Sequence, residues 1–228
     1  MATTHWMDYK GVAIRRLSDG IAYTYRTDRV ALDADGSPRA YHPNNTGIDH
    51  NANAGYPDGG WRSVLVVDPQ DPTKPYVQPT GPNKGYFVSK TSLRDHRLAA
   101  TDPAAYVDSE SIPYIVFPGA FYAIKGTGKY GDLVMVRNVG TGADSAAIVA
   151  DGGPKEAPLG EMSLKLATQL GGHNPNPRNG AGAPQGTFEY IVFPYSALDP
   201  PWRQTFDAID ARARELLAQV GGWPTAGV

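Results

Sequence analysis

Along most of this chain, apolar and polar residues alternate or gather in short bursts bounded by glycine and proline, a pattern that predicts strands over helices. Ile21 to Leu32 (IAYTYRTDRVAL) alternates as one strand, with Asp35-Gly36 as a hairpin turn before PRAYH. Trp61 to Asp68 (WRSVLVVD) and Gly85 to Leu93 (GYFVSKTSL) read as strands, and Ser111 to Phe121 as a core strand ending at Pro118-Gly119. Asp132 to Asn138 and Ala143 to Ala150 pair as a hairpin through Gly140-Thr141-Gly142, and Phe188 to Pro194 closes the set. Residues 1 to 20 show little beyond VAIRRL and predict an edge strand or a loose segment. Residues 42–60 and 171–186 are long polar loops of the kind that often carry function, and Pro69 to Asn83 is a proline-rich loop. The C-terminal region changes period. There Phe206, Ile209, Ala213, Leu216 and Leu217 recur at helical spacing within Pro201 to Val220, which predicts a helix covering one end of a barrel.

Composition narrows the picture. With 228 residues and 41% hydrophobic content the chain can bury one substantial core, and neither a repeat nor a linker divides it, so residues 1–228 are expected to form a single domain. The 26 glycines and 20 prolines are scattered among aromatics, which fits many short strands joined by tight turns. There is no cysteine, so no disulfide or thiolate chemistry is open to it. A formal net charge of −2 argues against nucleic acid as a partner but tolerates a polycation. No signal-like start and no run of 18 apolar residues is present, so a soluble chain without a membrane partner is expected.

The candidate chemistry concentrates in Ala147 to Leu170 (AIVADGGPKEAPLGEMSLKLATQL). Asp151 ends an apolar run, and Gly152, Gly153 and Pro154 turn the backbone, which places Asp151 at a strand end. Glu161 precedes Met162, Leu164, Leu166, Ala167 and Leu170, which places it at a helix N-terminus. Two positioned carboxyls are the minimum equipment for glycoside hydrolysis, one to protonate the glycosidic oxygen and one to activate water. A helix N-terminus favours the ionised form, so Glu161 is the better base and Asp151 the better acid, with the opposite division left open.

Several segments resemble the family 75 glycoside hydrolases, the fungal-type chitosanases: Leu32 to Pro43 (LDADGSPRAYHP), Asp49 to Gly55 (DHNANAG), Tyr106 to Gly119 (YVDSESIPYIVFPG), Ile148 to Ala167 and Tyr190 to Pro194 (YIVFP). The likeness spans roughly residues 30 to 196 and rests on the order of these segments more than on any one of them. It implies an extracellular, monomeric, cofactor-free endo-hydrolase that cleaves β-1,4 links in chitosan with inversion, using the residues matching Asp151 and Glu161. The segment VADGGP also resembles the Asp-x-Gly-Pro element of double-psi β-barrels, which implies a β-rich fold with a six-stranded double-psi-like core, about residues 20–196, long loops and a C-terminal helical segment at about 200–220. That second likeness keeps two rivals open, a peptidoglycan-cleaving hydrolase or lytic enzyme and a non-catalytic expansin-like polysaccharide binder.

The remaining candidates carry two readings each. Asp33 and Asp35 share one side if extended and could meet a glucosamine ammonium, or simply form a polar hairpin turn; the DxDG string lacks the other positions of a calcium loop, and no metal is expected. Asp108 and Glu110 have the same spacing and the same ambiguity. Tyr41, Tyr56 and Trp61 are candidates to stack on sugar faces or to fill the core, and Lys155 to hold a carboxylate or hydroxyl or to stay solvated. His42, His50 and His173 lack metal-ligand spacing, and no nucleophile elbow occurs.

Overall fold

The computed structural model describes residues 2–224. Nine strands build one mixed sheet: β1 (Thr3–Tyr9), β2 (Val12–Leu17), β3 (Tyr23–Thr27), β4 (Ala31–Asp33), β5 (Tyr114–Pro118), β6 (Leu133–Asn138), β7 (Asp144–Gly153), β8 (Glu161–Ser163) and β9 (Phe188–Phe193). Their order is β1-β2-β3-β9-β6-β7-β5-β8-β4, with β5–β7 and β4–β8 parallel and the other pairs antiparallel. The fold is therefore β-rich, as the alternation predicts. The sheet is open, with β1 and β4 as its edges, and no pairing among the described strands closes it into the expected six-stranded barrel.

Strand alternation sorts the apolar residues onto two faces. Ile115, Phe117, Val134, Val136, Ala147, Val149, Tyr190 and Val192 pack in one buried cluster with Tyr23 and Tyr25. Tyr114, Val116, Leu133, Met135, Ala146, Ile148 and Ile191 pack in the other, which α3 (Phe206–Gln219) covers with Ile209 and Ala213. This helix lies across β6 and β7, a sheet face in place of the expected barrel end. Thr205 caps it by accepting from the Ala208 amide, which explains why it begins later than the periodicity from Pro201 predicts. None of the helices among the described residues is long and apolar enough to cross a membrane.

Several predicted elements resolve differently. Ile21 to Leu32 is two strands broken at 28–30, because β3 pairs with β9 while β4 leaves to pair with β8. Asp35-Gly36 is consequently not a hairpin turn; it opens the long segment 34–113, which contributes no strand to the sheet. Within that segment Trp61 begins a 3-10 turn (Gly60–Ser63), and the predicted strands at 61–68 and 85–93 make only isolated bridges, Leu65 to Ser89, Val67 to Pro75 and Val77 to Phe87. The prolines at 69, 72, 75 and 79 deny this region the donors that a continuous ladder requires.

Glu161 is the most consequential correction. It is the first residue of β8, not of a helix; α2 (Leu164–Gln169) starts three residues later, where Ser163 accepts from the Leu166 amide. Gly160 makes this entry possible. Its φ of +109° suits glycine alone, and a Cβ there would sit 2.3 Å from the Arg29 carbonyl oxygen. Gly160→Ala is expected to cost about 1–3 kcal/mol, read as a fall in the denaturant midpoint. An unchanged midpoint would mean that the approach of the Arg29 and Gly160 backbones does not constrain β8.

Candidate active site

The register around Val116 gathers the carboxylates. Val116 in β5 is opposite Asp151 of β7 on one side and Glu161 of β8 on the other. Residues opposite one another share a sheet face, so both side chains emerge on the Val116 side, their Cα atoms about two strand spacings, roughly 9–10 Å, apart. Asp151 reaches that face only through an irregularity. Val149 pairs with Ile115, but the next pair is Asp151 with Val116, so Ala150 is the extra residue of a bulge. Strict alternation would aim Asp151 with Ala147 and Val149 into the other cluster; the bulge re-aims it. The Ala150 carbonyl, released from the ladder, accepts from the Leu93 amide at 2.8 Å.

One step further along the sheet, Asp33 at the end of β4 is opposite Ser163, which puts it on the same face as Glu161. Asp35 follows it, its amide donating to Asp33 Oδ1 at 2.8 Å. The four carboxylates line one cleft of about 660 Å³. Its opposite wall comes from the long loop, with Tyr41, Asp49, Asn53 and Gly55 among its residues.

Each carboxylate is held differently. Asp151 Oδ1 accepts from the Ser92 amide at 2.9 Å, the Ser92 hydroxyl at 2.6 Å and the Gly152 amide at 2.7 Å. Asp35 Oδ1 accepts from the Tyr41 hydroxyl at 2.8 Å and the Ser89 hydroxyl at 3.1 Å. Glu161 makes no side-chain hydrogen bond among the described residues, and its Oε2 lies 3.3 Å from where a Cβ on Gly153 would be. A side chain at 153 would crowd that oxygen and shift it by a few tenths of an ångström.

Burial raises the pKa of all four. Asp33 and Asp35 are pushed well up, by desolvation first and then by the neighbouring carboxylates. Asp151 is raised by burial, against which the Ser92 and Gly152 donors and the Lys90 ammonium act. Glu161 is raised by burial and by Asp151 and opposed by the Arg29 guanidinium. Lys90 itself donates to the Arg62 carbonyl at 2.6 Å.

Asp33, Asp35 and Asp151 can each offer one oxygen to a metal ion, and these oxygens lie within 4.8 Å of one another. Such hard donors would suit calcium or magnesium. Oδ1 of both Asp35 and Asp151 accepts from hydroxyl or amide donors, and Oδ2 of each takes part in no hydrogen bond among the described residues.

Other candidate residues fall elsewhere. Tyr41 lines the cleft but is buried, and its hydroxyl orients Asp35. Asp108 lies outside the cleft and caps a turn, accepting from the Glu110 amide at 3.0 Å and from the Ser111 hydroxyl. Glu110 is clamped by Arg39 Nε at 2.9 Å and by the Ser37 hydroxyl at 2.6 Å. Lys155 is exposed and outside the cleft, and its backbone carbonyl accepts from Ala120. Trp61 is buried among Ala34, Leu65 and Phe87, with Tyr56 packed against it. His42 packs edge-on to Tyr86, and His50 meets Arg178. Sequence reasoning missed Ser92, Asp49 and Lys90; nothing in the spacing ties Ser92 to an aspartate on a distant strand.

Comparison with known proteins finds no matching family model and no matching curated protein.

Buried like charges make the cleft a source of instability that pH controls. A carboxyl raised in the folded state binds more protons there than when unfolded, so stability falls as pH rises from the unfolded pKa through the folded one. Asp33→Asn, which keeps the acceptor for the Asp35 amide, is expected to raise Tm at pH 7, by roughly 2–4 °C for each kcal/mol relieved, and to lose that advantage near pH 4. A Tm gain equal at both pH values would show that charge is not its origin.

Proposed function

We propose that this chain is a glycoside hydrolase that cleaves β-1,4 links between glucosamine units of chitosan with inversion and without a cofactor. The observation that supports this reading is the register of Asp151 and Glu161 on either side of Val116, facing one cleft. Roughly two strand spacings between Cα atoms are compatible with the carboxyl separation of about 6.5–9.5 Å that admits a water between base and sugar.

The environments favour a division of roles opposite to the one expected from a helix N-terminus. Three donors on one oxygen favour ionised Asp151, which suits it to take a proton from water. Glu161, without such donors, is the better proton carrier. In the displacement, the Glu161 proton goes to the glycosidic oxygen as its bond to C1 breaks. Water attacks C1 from the opposite face and gives its proton to Asp151. Asp33 and Asp35, raised by burial and by neighbouring carboxylates, add negative potential for an ammonium-bearing sugar to the extent that they ionise, and an ammonium beside them favours that ionised form. The family 75 and double-psi likenesses, with a six-stranded core within about residues 20–196, and an extracellular place of action belong to the same proposal.

Asp151→Asn and Glu161→Gln should each lower turnover on chitosan by about 10²–10⁴-fold with an unchanged circular dichroism spectrum. Proton NMR of fresh digests should show the α-anomer first. Early β-anomer would mean a covalent intermediate, an anhydro product would favour the lytic rival, and binding without new reducing ends would favour expansin-like action.

Ser92→Ala tests the base assignment. Removing a donor from ionised Asp151 raises its pKa, so the acid limb of kcat/KM should move to higher pH while the alkaline limb stays. Movement of the alkaline limb instead would make Asp151 the acid.

A further inference from the structure

The carboxylate cleft does not end at Leu32. Leu32 also lines a second cavity of about 450 Å³, between Asp28, Val30 and Ala31 on one side and Pro184 and Gln185 of the 171–186 loop on the other. Pro177 in turn is shared by that cavity and a third of about 510 Å³, which reaches Leu164 and Thr168 of α2. The concavities are therefore neighbours, with Leu32 and Pro177 as shared wall residues. A compact ligand needs one of them, whereas a linear polymer can reach from the carboxylate cleft into the second.

The outer wall is firmly placed. Arg178 donates through Nη2 to the carbonyls of Asn45, Gly47 and Asp49 at 2.7, 2.8 and 3.1 Å, which fastens the 171–186 loop to the loop that carries Asp49 into the cleft. Within the loop, the His173 amide donates to the Gly182 carbonyl at 2.8 Å.

Charge decides what the groove selects. In the third cavity Arg39 is clamped to Glu110, but Arg178 is held by neutral carbonyls and keeps its positive charge, so a cationic chain is favoured in the carboxylate cleft and the second cavity and not in the third. The second cavity has one charged residue, Asp28, which is exposed and takes part in none of the ion pairs among the described residues. We infer that the groove past Leu32 is an extended binding segment for a cationic amino-sugar polymer, in which Asp28 pairs with the ammonium of a glucosamine unit outside the reacting pair. This rests on the chitosan-hydrolase reading of the cleft and extends it from the reacting bond to the neighbouring chain.

The test uses glucosamine oligomers of increasing length. At low salt, kcat/KM of Asp28→Asn relative to wild type should fall as the oligomer lengthens, reaching a deficit of about two- to fivefold, the range of an exposed ion pair. Salt at about 0.5 M should erase the deficit, because the pair lies in solvent. Dissociation constants measured in an Asp151→Asn background, with and without Asp28→Asn, should show the same length dependence in the absence of turnover. Wild-type hydrolysis with a deficit equal at every length, or with none, overturns the groove and leaves the hydrolase reading standing. Absence of new reducing ends from any chitosan with wild type overturns the hydrolase reading, and the groove with it.

Discussion

The site depends on holding three carboxylates on one face of a sheet, with a fourth, Asp35, just past its edge strand, although their charges would keep them apart. Backbone pairing does the holding: β5 is hydrogen-bonded to β7 on one side and β8 on the other, and β8 in turn to β4, so Asp151, Glu161 and Asp33 have fixed lateral positions before any side chain interacts. The bulge at Ala150 is the critical element of that pairing. A regular ladder would send Asp151 into an apolar cluster, where an ionised carboxylate is most costly. One extra residue turns it to the solvent-facing cleft, and the segment at Ser92 and Leu93 satisfies both the displaced carbonyl and the re-aimed carboxylate.

Repulsion within this cluster must be offset elsewhere, and the structure separates the two tasks. Both sheet faces are filled by buried Tyr, Phe, Ile, Leu and Val over β3, β5, β6, β7 and β9, while the carboxylates gather at the β8–β4 end. Charged residues also serve the interior away from the cleft: Glu189, buried in β9, accepts from Arg26 Nε at 2.9 Å and from Arg137 Nε at 2.8 Å. That carboxylate is paired and structural. Those in the cleft have no such ion-pair clamp: burial raises their proton affinity, and the hydroxyl and amide donors on Asp35 and Asp151 act against that rise.

How much of this was legible in the sequence is shown by a single pentapeptide. YIVFP occurs twice, as Tyr114 to Pro118 and as Tyr190 to Pro194, and both copies read as buried strands. Yet they face opposite ways: Ile115 and Phe117 share a cluster with Tyr190 and Val192, so the same string turns its odd members inward in one strand and its even members in the other. Local pattern reveals that a segment is a strand; its neighbours decide which face it shows. The β6–β7 hairpin and β9 were legible for the first reason. The positions of Asp33 and Asp151 relative to each other were not, because a bulge and a parallel pairing across distant segments leave no periodic mark. Glu161 was misplaced because apolar spacing after it suits a helix, whereas Ser163 was the actual cap.

An edge location explains why the site can be long. β4 has only three residues and no partner beyond it among the described residues, so the sheet ends within reach of the cleft and the space past Leu32 is bounded by a loop. A further strand there would bury the edge and interrupt the path between the cavities. Short edge strands also limit unwanted pairing with other chains, so the feature that opens the groove guards the sheet as well. The segment 34–113 supplies the facing wall without joining the ladder; its small clusters around Trp61 and Val88 give it a core of its own. A sheet edge faces a separately packed wall, and the carboxylate cleft lies between them.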